Sequence, residues 1–142
     1  MKFAALVLAG AMAVVPVKIQ AQKVSDYNPS VKCLALNMYH EARSQGTAGL
    51  FAVSAVVINR VNDPRFPNGV CEVVYQGPIR ESWKTRQHKD LPKHKRQYYP
   101  IKNKCQFSWY CDGKSDTPHN KKKYQELLDL SAAIMHNEIS FV

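Results

Sequence analysis

Among the side chains able to do chemistry, one carboxyl stands apart by its position. Glu41 lies near the end of a segment, Ser30 to Arg43, in which Val31, Leu34, Ala35, Met38 and Ala42 recur at intervals of three and four residues. That is the spacing of one helix face. At about 100° per residue, Glu41 falls on the border of this stripe, beside Leu34 and Met38 and one turn beyond Asn37, whereas His40 points another way. Partial loss of hydration favours the protonated form of a carboxyl, which suits a group that must give a proton to a leaving oxygen near neutrality. The plainer expectation is a helix-end carboxylate paired with nearby Arg43 or another basic group. Asp112, Asp116, Glu72 and Glu81 are the candidates for a second carboxylate. His88, His94 and His119 have no metal-ligand spacing and are expected to face solvent. The chain contains no C-x-x-C and no H-E-x-x-H, so neither a metal nor another cofactor is expected.

The elements that must position these groups are mostly helical. Ser30 is a capping residue type for the first helix and Gly46 follows as its stop. A second helix, Thr47 to Val61, is apolar almost all round and reads as the buried central helix. Two prolines and an Asn-Gly step between Asn62 and Gly69 reverse the chain. A short amphipathic piece, Val70 to Gln76, turns Val70, Val73 and Val74 inward. From Gly77 to Lys104 periodicity is lost, and Trp83, Tyr98 and Tyr99 stand among basic residues, the pattern of a long surface excursion. Cys105 to Gly113, aromatic and bounded by cysteines, suits a short strand or hairpin edge. A last helix, Lys122 to Asn137, buries Tyr124, Leu127, Leu128, Ile134 and Met135. The sum is a predominantly helical domain with one small irregular or β element.

Length and composition bound the rest. Lys2, an apolar run from Phe3 to Val17 and small residues ending at Ala21 form the pattern of a secretory signal peptide over 1–21. The run is shorter than the roughly 20 residues of a membrane-spanning helix, so no stable span is expected once the leader is removed. Export to the periplasm or extracellular envelope follows. About 121 residues remain, enough for one domain with a real core. The formal charge of +9 falls to +7 without Lys2 and Lys18. Such a balance favours polyanions: an envelope rich in carboxylates and phosphates, an anionic membrane surface, or nucleic acid. Eight lysines and arginines lie between Lys84 and Lys104 against only Asp90. Cys33, Cys71, Cys105 and Cys111 are even in number behind a leader, as two disulfides in an oxidising compartment would be. Three pairings are open. One closes a tight Cys105–Cys111 loop and leaves Cys33 for Cys71.

Residues Met38 to Gln76, with Y-x-E-A-R at Tyr39 to Arg43, a helix ending N-R-V at Asn59 to Val61 and a proline-bounded turn, precede Q-F-S at Gln106 to Ser108. This ordered pattern resembles the SleB-type cell-wall hydrolases, named for the spore-cortex-lytic enzyme and found also in bacteriophage and Gram-negative genomes. The resemblance covers roughly Cys33 to Gly113. It implies an α+β, mainly α, lysozyme-like single domain, with an N-terminal segment at 22–32 and the catalytic domain at 33–142. It further implies action on peptidoglycan glycan strands as a lytic transglycosylase, with Glu41 as the catalytic acid. Tyr39, Gln106 and Ser108 would then serve the sugar's N-acetyl group, Phe107, Trp109 and Tyr75 its ring faces, and Asp112 the same groove. Each of these has a structural alternative, in the core or on the backbone. Asn59 and Arg60 are expected to be scaffold. Ser44 and Gln45 stand where such proteins commonly carry a Gly-Glu or similar pair, and the 28-residue basic stretch is unusual among them. A monomer that binds no nucleic acid is expected. The competing functions are an N-acetylmuramoyl-L-alanine amidase, a muramidase-type hydrolase, and a non-catalytic basic protein that binds envelope or nucleic acid.

Overall fold

The computed structural model describes residues 22–136; the expected leader at 1–21, and the end of the last helix at Asn137, lie outside them. In chain order the elements are α1 (Pro29–Ala42), α2 (Gly46–Val61), α3 (Val70–Val74), β1 (Ile79–Glu81), α4 (Trp83–Arg86), β2 (Tyr98–Pro100) and α5 (Lys121–Met135). Short 3-10 turns lie at Val24–Asp26, Lys93–Lys95 and Ser108–Cys111. The domain is mainly helical, with one two-stranded antiparallel sheet. Among the described residues no helix is long and apolar enough to cross a membrane.

Helix α1 starts where local chemistry favours it. Asn28 caps it by accepting a bond from the Val31 amide at 2.9 Å, and Pro29 occupies the first turn, where its missing N–H costs nothing. Gly46 adopts φ +70, a left-handed conformation open to a residue without Cβ, and so turns the chain into α2. The whole predicted stripe of α1 is buried, and so are Cys33, Asn37 and Tyr39. The reason is packing on several sides, against α5, α2 and α3.

This reverses the expected roles of the first two helices. In α2 only Leu50, Ser54 and Val57 are buried, and Val56 is 43% exposed. Its apolar composition exceeds what its position encloses, because it packs mainly on α1 and α3 along one side. Ser54 makes burial affordable by donating its hydroxyl to the Leu50 carbonyl at 2.9 Å. Short α3 buries Val70, Val73 and Val74, and the Cys33–Cys71 disulfide ties it to α1. Asn120 caps α5 through the Lys123 amide. Leu127, Leu128 and Ile134 enter the core, with Tyr124 and Met135 half-buried against it.

The β element lies in the basic excursion and not at Cys105–Gly113. Ile79, Arg80 and Glu81 pair with Pro100, Tyr99 and Tyr98 respectively. Cys105 and Cys111 are bonded with Cα atoms 6.1 Å apart, whereas six steps of extended strand would separate them by about 20 Å. The chain between them therefore curls into a 3-10 turn. In the excursion, Arg96 makes an ion pair with Glu81 at 2.8 Å and donates to the Leu91 and Lys89 carbonyls, both at 2.9 Å. Thr85 donates to the same Glu81 carboxylate, so a segment without periodicity is still held in shape.

Cross-linking 38 residues constrains the unfolded chain more than cross-linking six. Chain-entropy scaling gives about 4 kcal/mol for the first loop and about 2 kcal/mol for the second. Denaturant unfolding of the Cys33→Ser/Cys71→Ser and Cys105→Ser/Cys111→Ser pairs should rank them in that order; equal losses would contradict the loop-length account. A second expectation concerns Tyr27, buried at the start of the domain. It donates its hydroxyl to Asp129 and accepts from Gln125. Burial, reinforced by Asp129, pushes its phenol up to about 12. A raised folded-state value means that this contribution is whole below the ordinary value near 10 and is lost as pH climbs through 12. The stability advantage of the parent over Tyr27→Phe should therefore shrink between pH 10 and 12; an unchanged difference across that range would refute the linkage.

Candidate functional site

Glu41 sits in the last turn of α1, half-buried, between buried neighbours Tyr39 and Ala42. Among the described residues no ion pair involves it. The simple pairing with Arg43 is not formed: that guanidinium lies over the Tyr39 ring, 4.7 Å from its centre. The Glu41 side chain is thus partly withdrawn from water, with no ion-pair partner among the described residues.

One turn earlier, Asn37 is fully buried, and its Oδ1 accepts a bond from Trp109 Nε1 at 2.9 Å. Its Nδ2 has no partner among the described residues. This contact joins the helix carrying Glu41 to the disulfide-closed loop at 105–111. Trp109 also stacks on His40, with centroids 4.5 Å apart and planes 15° apart, and meets Tyr75 edge-on at 6.2 Å. Tyr75 packs on Tyr110, and burial raises its phenol.

Beside this cluster is a pocket of about 340 Å³ whose walls include Tyr39, His40, Trp109, Asp112 and Asp116. Glu41 does not line it, so the pocket adjoins the helix end from the Tyr39–Arg43 side. His40 Nε2 donates to the Asp116 carbonyl at 2.9 Å. Burial pushes the Asp116 carboxyl above its usual range, His40 opposes that shift, and Asp112 adds to it. Asp112 is half-buried and accepts from the Lys114 amide at 2.7 Å.

The structure therefore brings together Tyr39, Tyr75, Trp109 and Asp112 from the expected set, in contact with one another or on the walls of one pocket. The Tyr39 hydroxyl is already engaged, accepting from the Asn120 amide at 2.9 Å. Phe107 is buried with Arg60 over its ring at 5.7 Å, so its face is turned to the protein. Gln106 and Ser108 are exposed. Of the other carboxylates, Glu81 is held by Arg96 and Glu72 lies exposed on α3. His88, His94 and His119 are exposed as expected. Among the described residues no three His, Cys, Asp or Glu side chains form a cluster able to hold a metal ion. Sequence reasoning missed His40 and underrated Asp116. No local periodicity links His40 to a tryptophan on a distant loop; only the dipeptide Tyr39-His40 beside Glu41 hinted at an aromatic wall.

Against known proteins, the family model described as Cell Wall Hydrolase matches residues 44–140. The match begins just after Glu41. The chain is also similar to the spore cortex-lytic enzyme of Bacillus subtilis, with 41% identity over 49 residues, 34% of this chain and 16% of that protein. Similarity to the spore cortex-lytic enzyme of Halalkalibacterium halodurans is 39% over 46 residues, 32% of this chain and 14% of that protein. The matches thus span about a sixth or less of those relatives' lengths. No solved structure gives a significant match.

Replacing Trp109 by Phe leaves both polar atoms of Asn37 buried without partners, at a cost of about 1–3 kcal/mol. The double variant Trp109→Phe/Asn37→Leu removes the stranded amide and should recover part of that loss. Urea unfolding of the three proteins checks this; a double variant no more stable than Trp109→Phe would mean that the bond is not what holds the loop to α1.

Proposed function

This chain belongs to the cell wall hydrolase family, and from that premise we propose that it cleaves the β-1,4 bond between N-acetylmuramic acid and N-acetylglucosamine in peptidoglycan glycan strands. We infer that it does so as a lytic transglycosylase with Glu41 as the acid. The observation that carries this reading is a half-buried carboxylate with no ion-pair partner among the described residues, at the end of a helix packed on three sides.

In this reaction the Glu41 carboxyl gives its proton to the bridging oxygen as the C1–O bond breaks, and positive charge develops on the sugar. The resulting carboxylate then takes the proton of the muramic 6-hydroxyl as that oxygen bonds to C1. The enzyme returns to its starting protonation state and the product is a 1,6-anhydro sugar. One carboxyl serves both half-reactions. A hydrolytic glycosidase would need a second carboxylate, about 5–5.5 Å away for retention or about 6.5–9.5 Å for inversion. Asp112 and Asp116, on the wall of the adjoining pocket, are the residues from which that alternative would draw it. Tyr39 and Trp109, both buried, back the pocket, half-buried Tyr75 is the ring a sugar would meet, and exposed Gln106 and Ser108 are the free polar groups for the N-acetyl substituent. Two disulfides among four cysteines fit an oxidising compartment, in keeping with a leader at 1–21 and action in the periplasm or outer envelope.

Glu41→Gln should lower the clearing of purified cell walls by about 100- to 10,000-fold, with unfolding free energy within about 0.5 kcal/mol of the parent. Undiminished clearing would reject Glu41 as the acid. Mass spectrometry of the digest then separates mechanisms. Anhydro ends are lighter than borohydride-reduced hydrolytic ends by about 20 Da, and reducing ends abolished by Asp112→Asn or Asp116→Asn would instead establish two-carboxylate hydrolysis. New free amino groups without new sugar ends would identify an amidase.

A further inference from the structure

Outside the Glu41 region, the largest concentration of unexplained chemistry is in the basic excursion. A pocket of about 510 Å³ opens between the β1–β2 ribbon and α4, lined by Arg80, Trp83, Lys84, Arg86 and Tyr99 around Glu81. We propose that this pocket is a docking site for a carboxylate-bearing glycan: sugar rings lie on Trp83 and Tyr99, and the carboxylates of attached peptides meet Arg80, Lys84 and Arg86. The proposal rests on the glycan reading of the function and names a second contact with that substrate, away from the bond that is cut.

Charge is the first support. Among the described residues Glu81 is the only carboxylate lining the pocket, and it is already neutralised by Arg96, with Thr85 donating to it as well. The Arg96 guanidinium beside it holds the carboxyl below its usual range. Among the described residues Arg80, Lys84 and Arg86 make no ion pair. Three cations therefore line a pocket with no free acid, Lys84 placing its ammonium 6.0 Å from the Trp83 ring centre as well, an arrangement that calls for an anion. Arginine forks match carboxylate geometry particularly well.

The aromatic groups are the second support. Trp83 is 59% exposed and Tyr99 56%, a large outlay of apolar surface for a small domain unless a partner covers it. The site is also built in advance. Arg96 fastens Glu81 to the Leu91 and Lys89 carbonyls, the Ser82 amide bonds the Gln97 carbonyl at 2.7 Å, and Ser82 caps α4. Little order would have to be created on binding.

Strand alternation argues against a lipid surface as occupant. Arg80 and Tyr99 share one face of the ribbon, whereas Ile79 and Tyr98 lie on the other. The exposed apolar side chains are thus split between faces, where a bilayer needs them in one plane. Trp83 and Tyr99 line one pocket with the cations, as a discrete chain of rings and acids requires.

Pelleting with purified sacculi free of phosphate polymers tests the site, using the full chain carrying Glu41→Gln so that cutting is suppressed during the assay. In that background Arg80→Gln/Lys84→Gln/Arg86→Gln and Trp83→Ala/Tyr99→Ala should each weaken retention by about tenfold. The charge-matched Lys23→Gln/Lys121→Gln/Lys122→Gln protein should stay close to the parent. On glycan strands stripped of peptides, the basic triple should no longer differ from the parent, and the aromatic pair should still bind more weakly. In protein that retains Glu41, the basic triple should raise KM for sacculi and leave kcat unchanged. Parent-like retention by the basic triple, an equal loss in the charge-matched control, or a loss that persists on peptide-free strands overturns the proposal. So does tighter binding to vesicles of anionic phospholipid or to single-stranded DNA than to sacculi. Muropeptide release by the Glu41-containing parent is scored separately, so failure of cleavage and failure of docking are distinguishable.

Discussion

Enclosure of α1 is the constraint from which the remainder follows. A helix packed against α2, α3 and α5 buries its residues almost to its last turn. In that turn Tyr39 and Ala42 are buried, whereas Glu41 is only half-buried. Glu41 occupies this border, and no cation among the described residues neutralises it. Had α2 been the enclosed helix, α1 would have been an outer element and its carboxyl an ordinary surface charge.

The enclosure is completed by polar contacts as well as apolar packing. Trp109 reaches the buried Asn37 amide, and the indole then serves as a wall against which His40 and Tyr75 stand. A bond of this type is strong where water is absent and costly where it fails, which makes the position of the 105–111 loop specific. The disulfides act at the same places, one holding α3 to α1 and the other curling the loop that presents Trp109. The chemistry proposed at Glu41 therefore depends on residues contributed by segments far apart along the chain.

Away from this centre the excursion follows a different logic. It has little apolar interior, and its order comes from one half-buried ion pair whose arginine also satisfies backbone carbonyls. Isolated surface pairs contribute little to stability, yet here several bonds converge on Arg96, and the effect is to fix shape. A rigid ribbon can thereby hold exposed aromatic rings and cations together, at the cost of apolar surface left in water.

By itself the sequence determined the main helices and the place of Glu41 on the first of them. Spacing of Val31, Leu34, Ala35, Met38 and Ala42 placed α1 and set Glu41 at its border, turn residues separated α2 from α3, and an even cysteine count pointed to two disulfides. These are local signals, since helix periodicity and capping act within a few residues. Only the tertiary structure decided which helix was central, because apolar content does not say how many neighbours a helix will have. It also moved the β element into the excursion, where Ile79–Glu81 pairs with Tyr98–Pro100 beside the bond from Arg96 to Glu81, contacts between residues distant in the chain. The placement of His40 against Trp109, and of Asp116 beside both, was likewise a product of long-range packing: contacts between residues distant in the chain leave no periodic trace in it.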